Sequence, residues 1–508
     1  MDGARDWSTD VNGTETMTSR LISATLPRGL RASLLPGQRV RNAVSAGVST
    51  LPFALILLAV AVEFCISGNS LSQMGISYSE PGGSPLVKLH PATYLAIAGA
   101  AVAVATGSSQ DRGLGYLLGK APALLVFIMV MIFCTFFATV NVGIMGAGVY
   151  LDTYLSAGAL ALVMVNASDR QRGILARLLV GLFLINVFIS LAEYIHHDHF
   201  IPITYIGDNG KQVTDIQGED FRPAALYTHP LTGAMATSFG VFLTLAPWFR
   251  PKTAGLFLGI LSIGLLSFGG RTALVATLGL LALRVIMVFG RDLMQGRING
   301  RLLGTVLLAI AILGPVTMVL LTTTSVGERL AATAYYDDSA KVRADQWRVL
   351  DKLTPEQAMF GTPVKDLDLV YQQAGLNGVE NPLILIFLNL GIIGLPIFAF
   401  GVVAYFLYLR RAYPDSGWLL LAAILILSGS NSIGVKTPDL FMMTACAVTM
   451  KGYTWQRVTR AFKPRVTLQR LRHEGILHEG PLPRPVMSLV RMHRGLSSRV
   501  IGRVDDAV

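Results

Sequence analysis

Long apolar runs alternate with short polar connections from residue 44 to residue 450. A bilayer crossing takes roughly 20 mostly apolar residues. Runs that meet or approach that length centre on 48–66, 92–107, 122–141, 148–165, 174–195, 231–249, 253–268, 272–289, 303–323, 383–409, 417–430 and 438–450. The expected fold class is therefore all-α, a polytopic membrane protein of about 12 transmembrane helices. The run 383–409 is long enough to tilt or to break near Gly391 and Gly394. Glycine is abundant, at 51 residues, which suits close helix contacts in lipid.

The polar connections divide the chain further. A basic segment, 1–43, precedes the first run, and a strongly basic tail, 451–508, follows the last. Too many polar residues stand before the first run for a cleavable signal peptide, so that run reads as a signal anchor. Short-loop cations mark the cytoplasmic side. Arg28, Arg31, Arg39 and Arg41 lie before span 1, and every second connection afterwards is basic, through Arg170 with Arg172 to Arg410 with Arg411. With twelve spans, all of these fall on one side and both termini are cytoplasmic. The opposite side receives two long loops, 196–230 and 324–382. The segment Asp338–Asp351 in the second loop has the apolar spacing of an amphipathic helix, with Asp338 or Ser339 as its N-cap.

Composition sharpens this picture. Hydrophobic residues make up 52% of the 508 and charged residues 14%, against roughly 25% charged in a typical soluble domain. The mean hydropathy is +0.54. These values exclude a soluble multidomain protein and a disordered chain. The net charge of +11 belongs to cytoplasmic loops and anionic headgroups, not to nucleic acid. Cys65, Cys134 and Cys446 each sit in an apolar run and make no CxxC pair, so they carry neither a redox nor a metal role. The string HHDH at 196–199 has ligand-type residues without a second cluster to complete a site, and no metal is expected.

Candidate chemistry begins with cations on the outer side, where the topology rule gives them no reason to be. Arg222 stands in GEDFRPAALYTHPLTG and Arg271 in SFGGRTALVA. Each has three readings: pairing with a carboxylate such as Glu219 or Asp220, reaching to lipid phosphate, or holding an anionic substrate. Guanidinium suits phosphate through its paired donors and permanent charge. Gly269 and Gly270 add backbone N–H groups at a helix start, which favours an anion beside Arg271. Glu63, Asp152 and Glu193 are acidic residues inside or at the ends of apolar runs, and the pattern assigns them no role.

Three stretches together resemble the superfamily of O-antigen ligases and O-antigen or exopolysaccharide polymerases of bacterial inner membranes. They are FRPAALYTHPLTGAMATSFG, then GGRTALVATLGLLAL, then the end of the large loop with Arg343, Trp347, Phe360-Gly361 and VENPLILIFLNLGIIGLPIF. The resemblance covers roughly 220–410; the first five spans match only as membrane helices. It implies glycosyl transfer at the periplasmic face from a polyprenyl-diphosphate-linked donor to an acceptor hydroxyl, with inversion and without nucleotide sugar, metal or other cofactor. The implied partners are the lipid-linked donor and acceptor, membrane lipids and other polysaccharide-assembly proteins. By this resemblance Arg222 and Arg271 meet the diphosphate, with Gly270 in the turn, and Arg343 either joins them or anchors the loop. Where the ligases have His-Asn, this chain has Glu380-Asn381, which favours a polymerase over a ligase. Glu380 is the expected base, the other reading being an ion pair with Arg343. His229 is an alternative base or a helix-end hydrogen-bonding group. Asn381 caps a helix or orients Glu380. Tyr227 and Trp347 either stack on sugar or anchor at the interface. The rival class is a transporter, such as a lipid-linked sugar flippase. Its sequence sign, GSSQDRGLGY, lacks the register and closing basic pair of the carrier motif, and the loop mass lies outside.

Overall fold

Helices with apolar side chains on most of their circumference cannot be stable in water, and the computed structural model of the chain consists mainly of such helices. The structure describes residues 48–76, 78, 85–106, 117, 119–206, 212–214, 221–294, 345–376, 378–379, 381–428 and 434–450. All belong to the unit Met1–Gly452. Among the described residues, five helices are long and apolar enough to cross a membrane, and six shorter apolar helices of 10–17 residues accompany them. The expected run 303–323 lies outside the described residues. Large apolar side chains point outward from these helices, including Phe136, Phe188, Ile286 and Phe400, with Phe136 at 70% exposure. That surface suits hydrocarbon, where every backbone polar group is already paired within its helix.

In chain order the first helices are α1 (Thr50–Cys65), the short α2 (Gly68–Gln73), α3 (Pro91–Ala105) and α4 (Pro122–Asn141). Next, α5 starts as Ile144–Val149, widens into a π-turn over Tyr150–Leu155, and continues as Ser156–Met164. After α6 (Asp169–His196) a small antiparallel hairpin joins β1 (Thr204–Ile206) to β2 (Gln212–Thr214), with Tyr205 opposite Val213. The all-α expectation did not include it. Its sequence sign was present, since Asp208-Asn209-Gly210 is turn chemistry of the hairpin kind. Then come α7 (Pro230–Leu243), α8 (Pro251–Ser267) and α9 (Arg271–Met294).

Within the large loop lie a 3-10 turn (Gln346–Lys352), α10 (Pro355–Phe360) and α11 (Val364–Gln373). The expected amphipathic helix over 338–351 is, in its described part, this 3-10 turn. Gln346 and Val349 are its buried positions, three apart, which matches the three-residue repeat of a 3-10 helix. The chain ends its described course with α12 (Pro382–Ala412), α13 (Gly417–Ser428) and α14 (Asp439–Thr449).

The centre of the bundle is formed by α7 and α14. Every residue of α14 is buried, and so are nearly all those of α7. Around them pack α5, α6, α8, α9 and α13, with α1, α3, α4 and α12 further out. Small residues set the spacing: a side chain at Gly264 would collide with Val187, and one at Gly401 with Val130.

The long helix α12 breaks at Gly391, which has φ 59° and ψ −172°. The cause is a neighbour. The end of α10 lies with its backbone directly on Gly391, so that any Cβ would strike the Met359 carbonyl. Gly361, at φ 99°, makes the reciprocal close approach to Asn389. The Thr362 N–H donates to the Leu388 carbonyl at 2.6 Å, and the Val364 N–H to the Val142 carbonyl at 3.2 Å. The described part of the large loop has its own small core, Val349 and Val370 against Ile384 and Leu388 of α12.

Candidate functional site

At one end of the bundle α1, α6 and α8 finish and α3, α7, α9 and α14 begin. The segment 222–229 crosses this end, and two neighbours hold it by its backbone. Glu193, on the last turn of α6 and fully buried, accepts from Ala224 N–H at 2.9 Å and Ala225 N–H at 2.7 Å through Oε2. Its Oε1 accepts from Phe200 N–H at 3.0 Å. Two turns back on α6, Asn186 Oδ1 accepts from Leu226 N–H at 3.2 Å. Ala225 has φ 53°, a left-handed conformation that costs a non-glycine residue roughly 1–2 kcal/mol. Hydrogen bonds to a carboxylate, about twice as strong as neutral ones, offset that strain. On the other side, Gly68 N–H donates to Thr228 Oγ1 at 3.2 Å and Asn69 Nδ2 to the Thr228 carbonyl at 2.9 Å.

The clamped segment carries Arg222 to the turn between α8 and α9. Gly269 there has φ 68°, and the Arg222 Cδ lies 3.8 Å from where a Gly269 Cβ would be. Gly270 packs so closely on Ala234 of α7 that it admits no side chain. Arg271 then opens α9 and is half-buried, as is Arg222. Two arginines 49 positions apart in sequence thus share one glycine turn. Phe268 in that turn is buried, and its ring lies 6.0 Å from that of buried Tyr227. Tyr227 is a packing residue here, with Phe64 on its other side.

His229 is the N-cap of α7, and its Nδ1 accepts from Leu231 N–H at 3.2 Å. A neutral ring that accepts at Nδ1 carries its proton on Nε2. Asn381 caps α12, with Oδ1 accepting from Leu383 N–H at 3.0 Å and Ile384 N–H at 3.4 Å. Its own N–H donates to buried Gln346 Oε1 at 2.8 Å, which ties the 3-10 turn to the start of α12. Trp347, beside Gln346, is 48% exposed. Glu380 and Arg343 lie outside the described residues, as do Glu219 and Asp220. In HHDH, His199 stands 3.8 Å from Glu193 and packs its ring 4.6 Å from that of Phe221. Among the described residues no three His, Cys, Asp or Glu side chains gather as a metal site would require.

A second polar layer lies beside the first. Asp152, in the π-turn of α5, accepts from Tyr78 OH at 2.9 Å, Thr93 Oγ1 at 2.8 Å and His90 N–H at 3.1 Å. Lys436 Nζ donates to the Lys88 carbonyl at 2.9 Å and lies 4.8 Å from the centre of the Tyr78 ring. Its stem fills the space left by Gly148, where a Cβ would collide with it. Burial pushes the Lys436 ammonium below its usual range, and Asp152 offsets part of that effect. His90 Nδ1 pairs with Glu63 at 3.1 Å, while Nε2 meets the Ile66 carbonyl at 2.8 Å. Burial opposes a charged His90, but Glu63, the Ile66 carbonyl and Asp152 outweigh it and raise the ring to about 9. Ala92 N–H also approaches Nδ1, at 3.3 Å. That contact suits only the neutral ring, and the shorter charge-assisted pair dominates when the ring is protonated.

The two layers are joined. Tyr78 packs against Gly68, the residue that holds Thr228, and His90 holds Ile66, two residues earlier. Glu63, Asp152 and Glu193, without roles on the sequence alone, are therefore structural members of this end. Lys436 was missed. The rule that singled out Arg222 and Arg271, a cation in a connection expected on the outer side, also picks out Lys436 in GVKTPDL. No protein-family model matches the chain, and no curated protein matches it.

Proposed function

We propose that the chain is a glycosyltransferase that joins lipid-linked oligosaccharide repeat units into exopolysaccharide, capsule or O-antigen. In this reading it is a multi-pass protein of the bacterial inner membrane with twelve spans and cytoplasmic termini, and the glycine turn faces the periplasm. The observation that carries the reading is the meeting of Arg222 with the Gly269–Arg271 turn. A diphosphate bears charge that two guanidinium groups and the first N–H groups of a helix are suited to receive.

The chemistry follows from the donor. The acceptor hydroxyl oxygen bonds to the anomeric carbon from the face opposite the diphosphate. The bond from that carbon to the diphosphate oxygen breaks, and the electron pair leaves with the diphosphate. Arg222 and Arg271 stabilise that developing charge, with Arg343 as a third cation in the same role. The hydroxyl proton passes to Glu380, the base favoured by the resemblance. His229, with its proton on Nε2, serves this scheme as a hydrogen-bond donor to the departing group better than as a base. Glu193 and the Gly68–Asn69 turn position Arg222 through the backbone of 224–228.

The test uses Arg222→Ala, Arg271→Ala and Glu380→Gln in a strain that lacks the chromosomal copy. Loss of one preorganised charge partner costs on the order of 100-fold or more in rate. With normal membrane levels, long polysaccharide should disappear and single lipid-linked repeat units should accumulate at the outer face. Persistence of long chains in all three variants would remove the site. Accumulation at the inner face alone would make the protein a flippase.

A further inference from the structure

A groove of about 570 Å³ runs between α12 and α13, far from the glycine turn in the chain. Val403, Phe406 and Leu407 line one wall, and Leu421 and Ile424 the other. Val403 and Ile424 are also among the outward-exposed residues, so the groove opens sideways to the surrounding hydrocarbon. The walls are apolar along their whole length, and polarity is confined to the two ends. From Gly417 to Leu427, both of which line the groove, α13 rises about 15 Å at 1.5 Å per residue. That is half of the roughly 30 Å hydrocarbon thickness of a bilayer, the depth of a single leaflet.

The ends differ. At the far end stand Thr153 and Ser428. Thr153 Oγ1 donates to the Val435 carbonyl at 3.1 Å and accepts from Thr437 N–H at 3.0 Å, while Ser428 Oγ donates to Leu425 O at 2.9 Å. These hydroxyls are committed to the protein. At the near end stands Arg410, exposed, with its guanidinium against Gly417 and Nη1 donating to the Pro414 carbonyl at 2.7 Å. A guanidinium has five N–H donors, and this carbonyl uses one. The acid nearest in sequence, Asp415, makes no ion pair with Arg410. The near end thus offers an anion a charged partner, and the far end offers nothing comparable.

We propose that this groove is a binding site for one anionic glycerophospholipid of the leaflet on the Arg410 side. An acyl chain lies along α13, and the headgroup phosphate rests on Arg410. The length of the apolar trough matches the tail, and the position of the cation fixes the direction in which the lipid enters. A neutral or zwitterionic lipid fits the trough but has no net charge to favour it over its neighbours. This inference does not depend on the glycan-transfer reading.

The experiment places the full-length protein in nanodiscs of phosphatidylethanolamine with a minority of phosphatidylglycerol, then extracts it gently and identifies retained lipids by native mass spectrometry. The wild-type protein should retain phosphatidylglycerol in preference to the bulk lipid. Arg410→Gln should reduce that preference about fivefold, the equivalent of about 1 kcal/mol per membrane-facing cation. Arg411→Gln, at an exposed neighbour that does not line the groove, should leave it unchanged. Ile424→Trp, which fills the trough, should lower retention of both lipids. Arg410 is exposed, so its variant tests the headgroup contact even if the tryptophan variant folds poorly. Equal retention by wild type and Arg410→Gln would overturn the proposal, and so would displacement of phosphatidylglycerol by an added polyprenyl phosphate.

Discussion

Arginine is used in opposite ways at the two ends of this bundle. Arg172, near the start of α6, is 1% exposed. Its Nε donates to the Ala167 carbonyl at 3.2 Å, Nη2 to Met164 at 2.9 Å and Nη1 to Val448 at 2.6 Å. The Met164 and Val448 carbonyls belong to the last turns of α5 and α14, where a helix leaves acceptors over, and Ala167 lies in the connection from α5 to α6. The Tyr413 ring lies 5.2 Å from the guanidinium carbon. Arg222 and Arg271, at the other end, are half-buried along a glycine turn. One cation is enclosed as a rivet between helix ends, while the other two are only partly buried. A count of basic residues per connection treats all three alike. Burial separates them.

Breaking the rivet should have the largest effect. Arg172→Leu takes the donor from the buried Ala167 and Val448 carbonyls and should destabilise the protein by about 2–6 kcal/mol, at roughly 1–3 kcal/mol for each acceptor left unsatisfied. Thermal unfolding monitored by fluorescence-detected chromatography should show a much lower transition or no folded peak. The Arg222→Ala and Arg271→Ala proteins should unfold close to wild type in the same assay. If Arg271→Ala were as unstable as Arg172→Leu, the contrast between the two ends would be lost.

Gly391→Ala should come next. The new methyl would meet the Met359 carbonyl in a backbone conformation that disfavours it, at a cost of a few kcal/mol. Glu193→Gln sharpens the comparison from the site side. It keeps the shape but weakens the bonds to Ala224 and Ala225, costing about 1–2 kcal/mol. If the chain acts as proposed, polymer yield should fall more than stability does, because Arg222 rides on that segment. Equal losses in the two measurements would count against the positioning role.

The smallest effect is one of pH. His90 is raised to about 9 from an ordinary 6.5, so its pair with Glu63 contributes fully below about pH 6.5 and is lost as pH rises through 9. The melting temperature measured from pH 6.5 to 10 should decline across that window. In His90→Gln the decline should flatten.

Much of the fold was legible in the sequence because lipid imposes one simple rule, a long apolar run for each crossing. The break at Gly391 is one of the two readings that the length of the run 383–409 leaves open, the other being tilt. What the pattern did not contain was the reason for it, the backbone of α10 seated on that residue. The same limit applies to the candidate site. Arg222 and Arg271 stood out as cations in unexpected places, but their meeting at Gly269 depends on α6 and α2 gripping residues 224–228. Glu193 read as a solitary acid because its partners are main-chain N–H groups, which every residue has. Lys436 was open to the same reasoning as the arginines, and its tie to Asp152 arises only from the fold.

The seam between α10 and α12 has a mechanical consequence. Hinges need side chains or solvated backbone that can rearrange, and at Met359–Thr362 main chain rests on main chain with a hydrogen bond across the joint. Any displacement of the chain at that point would press directly on the backbone in the interior of α12. Residues 359–362 are thereby fixed to α12 by main chain alone, so this joint does not depend on which side chains the two elements carry.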